Sequence, residues 1–181
     1  FLQSVPYALR NLRWLLENVE LPVRLPSLID AFEKIVASEK LQSLSTGAES
    51  LGVRIFSFSF HRGLPKDDSG HGGGFVFDCR ALPNPGREDR FKSLTGRDAP
   101  VIDYLNREES VHQFLANAMS LVDASVNTYQ TRGFKNLMVS FGCTGGQHRS
   151  VFMAEQLARH LRSKAGVEVV VRHLNLENSA Q

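Results

Sequence analysis

An α/β fold is expected: a mostly parallel sheet of about four strands with flanking helices, preceded by a helical segment from an upstream domain. Three observations predict it. Strand-like runs with β-branched and aromatic residues occur at 53–60, 75–80, 137–141 and 167–171. Helix-period runs separate the later strands, at 101–107, 110–132 and 150–163. A glycine-rich turn, Gly142-Cys143-Thr144-Gly145-Gly146-Gln147-His148-Arg149-Ser150, joins the third strand to the helix after it. Backbone N–H groups in such a turn, together with the helix dipole, favour an anion.

The 181 residues carry 21 Lys and Arg against 19 Asp and Glu, a net charge of +2 that does not by itself argue for a nucleic-acid or membrane partner. No apolar run approaches the ~20 residues of a membrane span, and no signal-peptide pattern opens the chain. Two cysteines, Cys79 and Cys143, are too few for a disulfide framework, so a cytoplasmic location is expected. The first residue is Phe1 rather than Met, which reads as a piece of a longer protein.

Residues 1–46 read as two helices. Leu9, Leu12, Trp14, Leu15, Leu16 and Val19 form one broad apolar stripe; Leu28, Ile29, Phe32, Ile35 and Val36 form another after Pro26. They carry no chemical motif and read as the helical tail of an upstream domain. Residues 47–181 form the second expected domain.

Val53 to Phe60 alternates in period two and ends in His61-Arg62-Gly63. The polar stretch Lys66 to Gly74 reads as a flexible connection, because a strand follows it and no helix N-terminus is there to receive phosphates. Phe75 to Arg80 is the second strand, stopped by Pro83 and Pro85. Asp78 and Arg80, two positions apart, share a face and either pair or line a site.

Residues 87–99 are charged and irregular. A short helix follows at 101–107, then a long one from about Ser110 to Arg132 with Gly133 as its C-cap. His112 reads as a core or edge histidine, with no metal-ligand partner at helical spacing. Neither a metal nor a cofactor is expected. Leu137 to Phe141 is the third strand, Ser150 to Ser163 its helix and Val167 to Val171 the fourth strand. In open α/β sheets ligands sit at the carboxyl ends of strands.

Three chemistries compete at residues 142–150. A nucleotide-triphosphate loop requires Gly, four spacers, Gly, Lys and Ser/Thr; counted from Gly142, Gln147 occupies the second glycine position, so the pattern fails. A cysteine phosphatase or phosphotransferase would use Cys143 as nucleophile and Arg149 as phosphate ligand, at the five-residue spacing such enzymes show. It also requires a general acid, for which Asp89 and Asp98 are undistinguished candidates. Binding without chemistry would use the same loop, with Arg149 as a bidentate donor and Thr144, Gly145, Gly146, His148 and Ser150 around it. The ends of the first two strands, His61-Arg62 and Arg80 to Asn84, would bring a second set of donors to the ligand.

Four ordered motifs carry a resemblance. They are Ser57-Phe58-Ser59-Phe60 with Gly63-Leu64-Pro65, Phe75 to Pro85, Leu94-Thr95-Gly96 with Pro100-Val101, and Gly142 to Ser150. Over residues 52–178 the chain resembles the C-terminal domain of the RapZ family, RNase adapter proteins also described as P-loop nucleotide-binding proteins. The resemblance implies a domain that senses glucosamine-6-phosphate and, in some members, binds a small regulatory RNA. It implies a phosphosugar pocket at Thr144, Gly145, Gly146, His148, Arg149 and the His61-Arg62 pair, where the family typically has Lys-His. Two features depart from the family: the kinase-like N-terminal domain has no counterpart in residues 1–46, and the tail Arg172 to Ser179 is nearly neutral where the family's is basic. The N-terminal stripes resemble, weakly, the closing helices of aminoglycoside-phosphotransferase-type kinases. The expected partners are thus a phosphorylated small molecule, an upstream domain in the same chain and RNA.

Overall fold

The computed structural model describes residues 50–177. The expected helices of residues 1–46 lie outside them. The site residues belong to one compact unit, Glu49–Arg162 with Gly166–Gln181.

Four strands form one all-parallel sheet: β1 (Leu51–Ser59), β2 (Gly74–Asp78), β3 (Asn136–Cys143) and β4 (Val167–His173). Their order is β2-β3-β1-β4, with Ser59 beside Cys143 and Ser57 beside His173. The helices are α1 (Ala99–Asn106), α2 (Glu109–Arg132) and α3 (Arg149–Arg162). A helical turn, Leu174–Glu177, follows β4. The α/β architecture and the mostly parallel four-stranded sheet expected from the alternating patterns are therefore present.

The core lies between one sheet face and α2 and α3. Val53 and Ile55 of β1, with Val139 and Phe141 of β3, join Val122 and Val126 of α2 and Met153, Leu157 and Leu161 of α3 in one buried cluster. Side chains alternate across a strand, so Phe56 and Phe58 occupy the other face. They too are buried, Phe58 with its ring edge-on to Phe60 at 4.9 Å. The alternation visible in the sequence is therefore one of residue type, with no exposed row in the second half of the strand.

Two helix boundaries have a local cause. Pro100 stands in the first turn of α1, where a missing N–H costs nothing. Gly133, left-handed at φ 70°, ends α2 as expected. The Lys66–Gly74 connection differs from the flexible loop expected. Asp67 accepts hydrogen bonds from the N–H groups of Ser69, Gly72 and Gly73 and pairs with Arg54, which ties the loop to β1. These bonds hold the Asp67 carboxyl far below its usual range, the Ser69 N–H contributing most.

Parallel pairing places all four strand ends at one edge. There β1 and β3 send their connections in opposite directions, β1 toward β2 beyond β3, and β3 toward β4 beyond β1. Ligands of open parallel sheets occupy such a switch point.

Candidate functional site

The loop between β3 and α3 is built by glycine and by inward-turned polar groups. At Gly142 an added Cβ would lie 2.5 Å from the rings of Phe58 and Phe60, so only glycine lets those rings cover the strand end. Gly146 is left-handed at φ 68°; its N–H donates to Cys143 Sγ at 3.2 Å. Cys143 Sγ also lies 3.2 Å from Ser150 Oγ in the first turn of α3. Both side chains are buried, and the thiol belongs to the core cluster.

Gln147 and His148 face the segment before α1. Gln147 Nε2 donates to the carbonyls of Lys92 (2.9 Å) and Leu94 (2.6 Å). Gly96 N–H donates to the Gln147 carbonyl at 2.9 Å. His148 Nε2 lies 2.8 Å from the Phe91 carbonyl, an acceptor, so that nitrogen carries the proton. The imidazole is 8% exposed. These bonds hold residues 91–96 against the loop.

Arg149 points the other way. Its Nη1 donates to the carbonyls of Arg80 (2.8 Å) and Leu82 (3.0 Å), and Nη2 reaches Thr144 Oγ1 at 3.4 Å. The residue is 4% exposed, and its Nε has no hydrogen-bond partner. A buried guanidinium whose hydrogen-bond partners are all neutral, with one donor left over, is an anion-seeking group.

Above it opens a cleft of about 470 Å³, lined by Arg80 to Asn84, Arg87, Ser110, Thr144 and Arg149. Arg80 is positioned from two sides. Its guanidinium carbon lies 4.1 Å from the Phe60 ring centroid, and Nη2 donates to Asp78 Oδ2 at 2.7 Å. The Arg80 side chain, bonded to Asp78, holds that carboxyl below its ordinary range. Between these two residues Cys79 is fully buried, and burial pushes its thiol well up. Asn84 Oδ1 accepts the Gly86 N–H at 3.3 Å, which turns the chain into the 3-10 segment Pro85–Arg87 and brings Arg87 to the rim.

Of the ligand-binding residues expected from sequence, Arg80, Asn84, Thr144 and Arg149 meet in this cleft. Gly145 is exposed in the loop beside them, whereas Gly146 and Ser150 are buried behind it. His61 and Arg62 stand exposed on a 3-10 turn after β1 and do not line the cleft. His148 is turned into residues 86–91. Asp78 and Arg80 pair with each other, and Arg80 also lines the cleft. Sequence reasoning missed Arg87 and Ser110. Arg87 lies in an irregular stretch without periodicity. Ser110 looks like any serine in the first turn of a helix, and only the tertiary approach of α2 brings it here.

Among the described residues no group of three or more His, Cys, Asp or Glu could hold a metal ion, and no helix is long and apolar enough to cross a membrane.

Comparison with known proteins points to one family. A family model described as the RapZ C-terminal domain matches residues 51–177. A nucleotide-binding protein of Glaesserella parasuis serovar 5 is 39% identical over 142 residues, 77% of this chain and 48% of that protein. One from Xylella fastidiosa (strain M23) is 41% identical over 132 residues, covering 73% and 44%. The RNase adapter protein RapZ of Hamiltonella defensa is 38% identical over 138 residues, covering 76% and 46%. The matched part spans less than half the length of each of these relatives.

Proposed function

This chain belongs to the RapZ C-terminal domain family, and we propose that its cleft binds a phosphorylated sugar of the glucosamine-6-phosphate kind, or phosphate itself, as a regulatory or adapter domain. The observation that carries the reading is Arg149. Its guanidinium is buried at the cleft floor, bonded only to neutral groups, with Nε unpartnered. Arg80 and Arg87 add two positive charges at the rim. A phosphate seated there replaces water with charge-assisted hydrogen bonds. Thr144, Ser110 and the Asn84 amide are suited to sugar hydroxyls, and the exposed Gly145 turn supplies a backbone donor. His61 and Arg62 would act as an outer basic pair.

The alternative, phosphatase or phosphotransferase chemistry at Cys143, has less support. The thiol is 3% exposed, belongs to the core cluster and does not line the cleft. The relatives' names, nucleotide-binding protein and RNase adapter protein, bear on the partner. In our reading the ligand sets a conformation that is passed to an RNase-type protein partner. Direct RNA contact has weaker support, since the tail from Arg172 is nearly neutral and Arg172 itself is paired with Glu177 at 2.8 Å.

The test is an NMR titration with inorganic phosphate, glucosamine-6-phosphate, N-acetylglucosamine-6-phosphate and a nucleoside monophosphate. It follows the Thr144 and Gly145 amides and the Arg149 Nε–H. Saturable shifts at all three, largest for an amino-sugar phosphate, are expected. No response to any of the four removes the reading.

A further inference from the structure

The turn that follows β4 reaches the phosphate loop from behind. Ser59 N–H, at the end of β1, donates to Asn175 Oδ1 at 3.1 Å. Ser59 Oγ–H donates to the Thr144 carbonyl at 2.5 Å and accepts the His61 N–H at 3.2 Å. Asn175 is thus two hydrogen bonds from Thr144, whose hydroxyl lines the cleft and accepts from Arg149. Asn175 also packs against the loop directly. A Cβ added to Gly146 would lie 2.7 Å from Asn175 Cγ and 2.8 Å from Ser59 N.

The turn is anchored by a second set of buried bonds. His173 is 7% exposed. Its Nδ1 lies 2.8 Å from Ser57 Oγ, and its Nε2 lies 3.0 Å from Glu155 Oε1 on α3. Ser57 is fully buried, so this Ser–His–Glu series fastens β4 to β1 and α3 instead of exposing a nucleophile. Arg172 and Glu177 close the turn from outside with an ion pair at 2.8 Å.

We propose that Asn175 is a positioning residue for the phosphate loop, and that His173, held between Ser57 and Glu155, fixes the turn that presents it. The inference rests on the binding reading for its effect on affinity, but not for its effect on the loop. Through Ser59, Asn175 sets the height of the Thr144 carbonyl, and by contact it holds the left-handed Gly146. Without it the loop samples conformations in which the Thr144 hydroxyl and the Gly145 amide leave the cleft.

The experiment compares the full chain with Asn175→Ala and Asn175→Asp. Amide hydrogen exchange at Ser59 and Gly146 is read without ligand, and affinity for inorganic phosphate and glucosamine-6-phosphate is read by calorimetry. In Asn175→Ala both amides should exchange about ten-fold faster and affinity should fall by a similar factor, the loss of one hydrogen bond, with the melting temperature little changed. Asn175→Asp keeps an acceptor for Ser59 N–H and should restore the protection of both amides. Unchanged exchange in Asn175→Ala, or no restoration by Asn175→Asp, overturns the inference. If the unmodified protein binds neither ligand, the binding reading fails, and the exchange comparison still decides the role of Asn175.

Discussion

Arg149 Nη1 donates to the Leu82 carbonyl at 3.0 Å, a bond that joins the first turn of α3 to the segment after β2. The same nitrogen also serves the Arg80 carbonyl. Removing the side chain therefore strips a donor from two backbone acceptors as well as the charge from the cleft. We predict that Arg149→Ala loses on the order of 2–3 kcal/mol of stability in urea unfolding, the cost of stranding buried acceptors. Phosphate binding should be lost with it. Arg149→Lys retains the charge but not the planar fork, so it should recover stability only in part and affinity hardly at all. Full affinity in the lysine variant would show that charge alone suffices.

Arg87 separates binding from folding. It is exposed at the rim of the cleft and caps no buried group. Arg87→Ala should weaken glucosamine-6-phosphate binding several-fold, as expected for one solvent-exposed ionic contact of ~1 kcal/mol or less. Its unfolding midpoint should stay unchanged. Calorimetry beside thermal melting checks both, and an unaltered affinity would place the phosphate away from the rim.

Cys143 offers a test of chemistry. Its sulfur accepts the Gly146 N–H and lies beside Ser150 Oγ within the core. The protein should release no phenol from an aryl phosphate, and Cys143→Ser should bind inorganic phosphate as the unmodified protein does. Turnover abolished by both Cys143→Ser and Arg149→Ala would instead establish a nucleophilic thiol.

Gly96 is a packing constraint on the same loop. An added Cβ would meet the His148 carbonyl at 2.2 Å and the Phe152 nitrogen at 2.4 Å, both backbone atoms at the start of α3. Gly96→Ala should cost about 1–3 kcal/mol, as overpacking does, and should broaden the Gly145 amide. A melting curve like that of the unmodified protein would mean that residues 91–96 move aside freely.

Asp98 contributes a pH dependence. The Thr95 hydroxyl, and after it the Thr95 N–H, hold the Asp98 carboxyl below its ordinary value of 3.8. A folded-state pKa below the unfolded one means that the contribution is complete above that value and is lost as pH falls through the folded one. Asp98→Asn should flatten the acid limb of the stability profile, where pH falls through and below the ordinary value of 3.8. Parallel acid limbs in urea unfolding would contradict this.

Periodicity made the four strands, the three helices after β2 and the Gly133 cap legible, because side-chain spacing of 2.0 or 3.6 is a local property. The turn at 142–150 was legible for the same reason, as a strand, glycines and a helix start in succession. The direction of each side chain within it was not. Gln147 and His148 lie between Gly146 and Arg149 in sequence, yet they bond to Lys92, Leu94 and Phe91, while Arg149 turns to the opposite side. Arg87 and Ser110 reach the cleft only because a 3-10 turn and the start of α2 converge on it.

By itself the sequence determined an α/β fold with a glycine-rich anion turn at the end of a parallel strand, since hydrophobic period and turn chemistry act between near neighbours. The tertiary structure decided which donors meet. It buried Arg149 with Nε unpartnered, turned Cys143 into the core, and laid Asn175 against Gly146 from the far end of the chain. Those contacts join residues tens of positions apart, and only the parallel register, by gathering every strand end at one edge, brings them within hydrogen-bond reach.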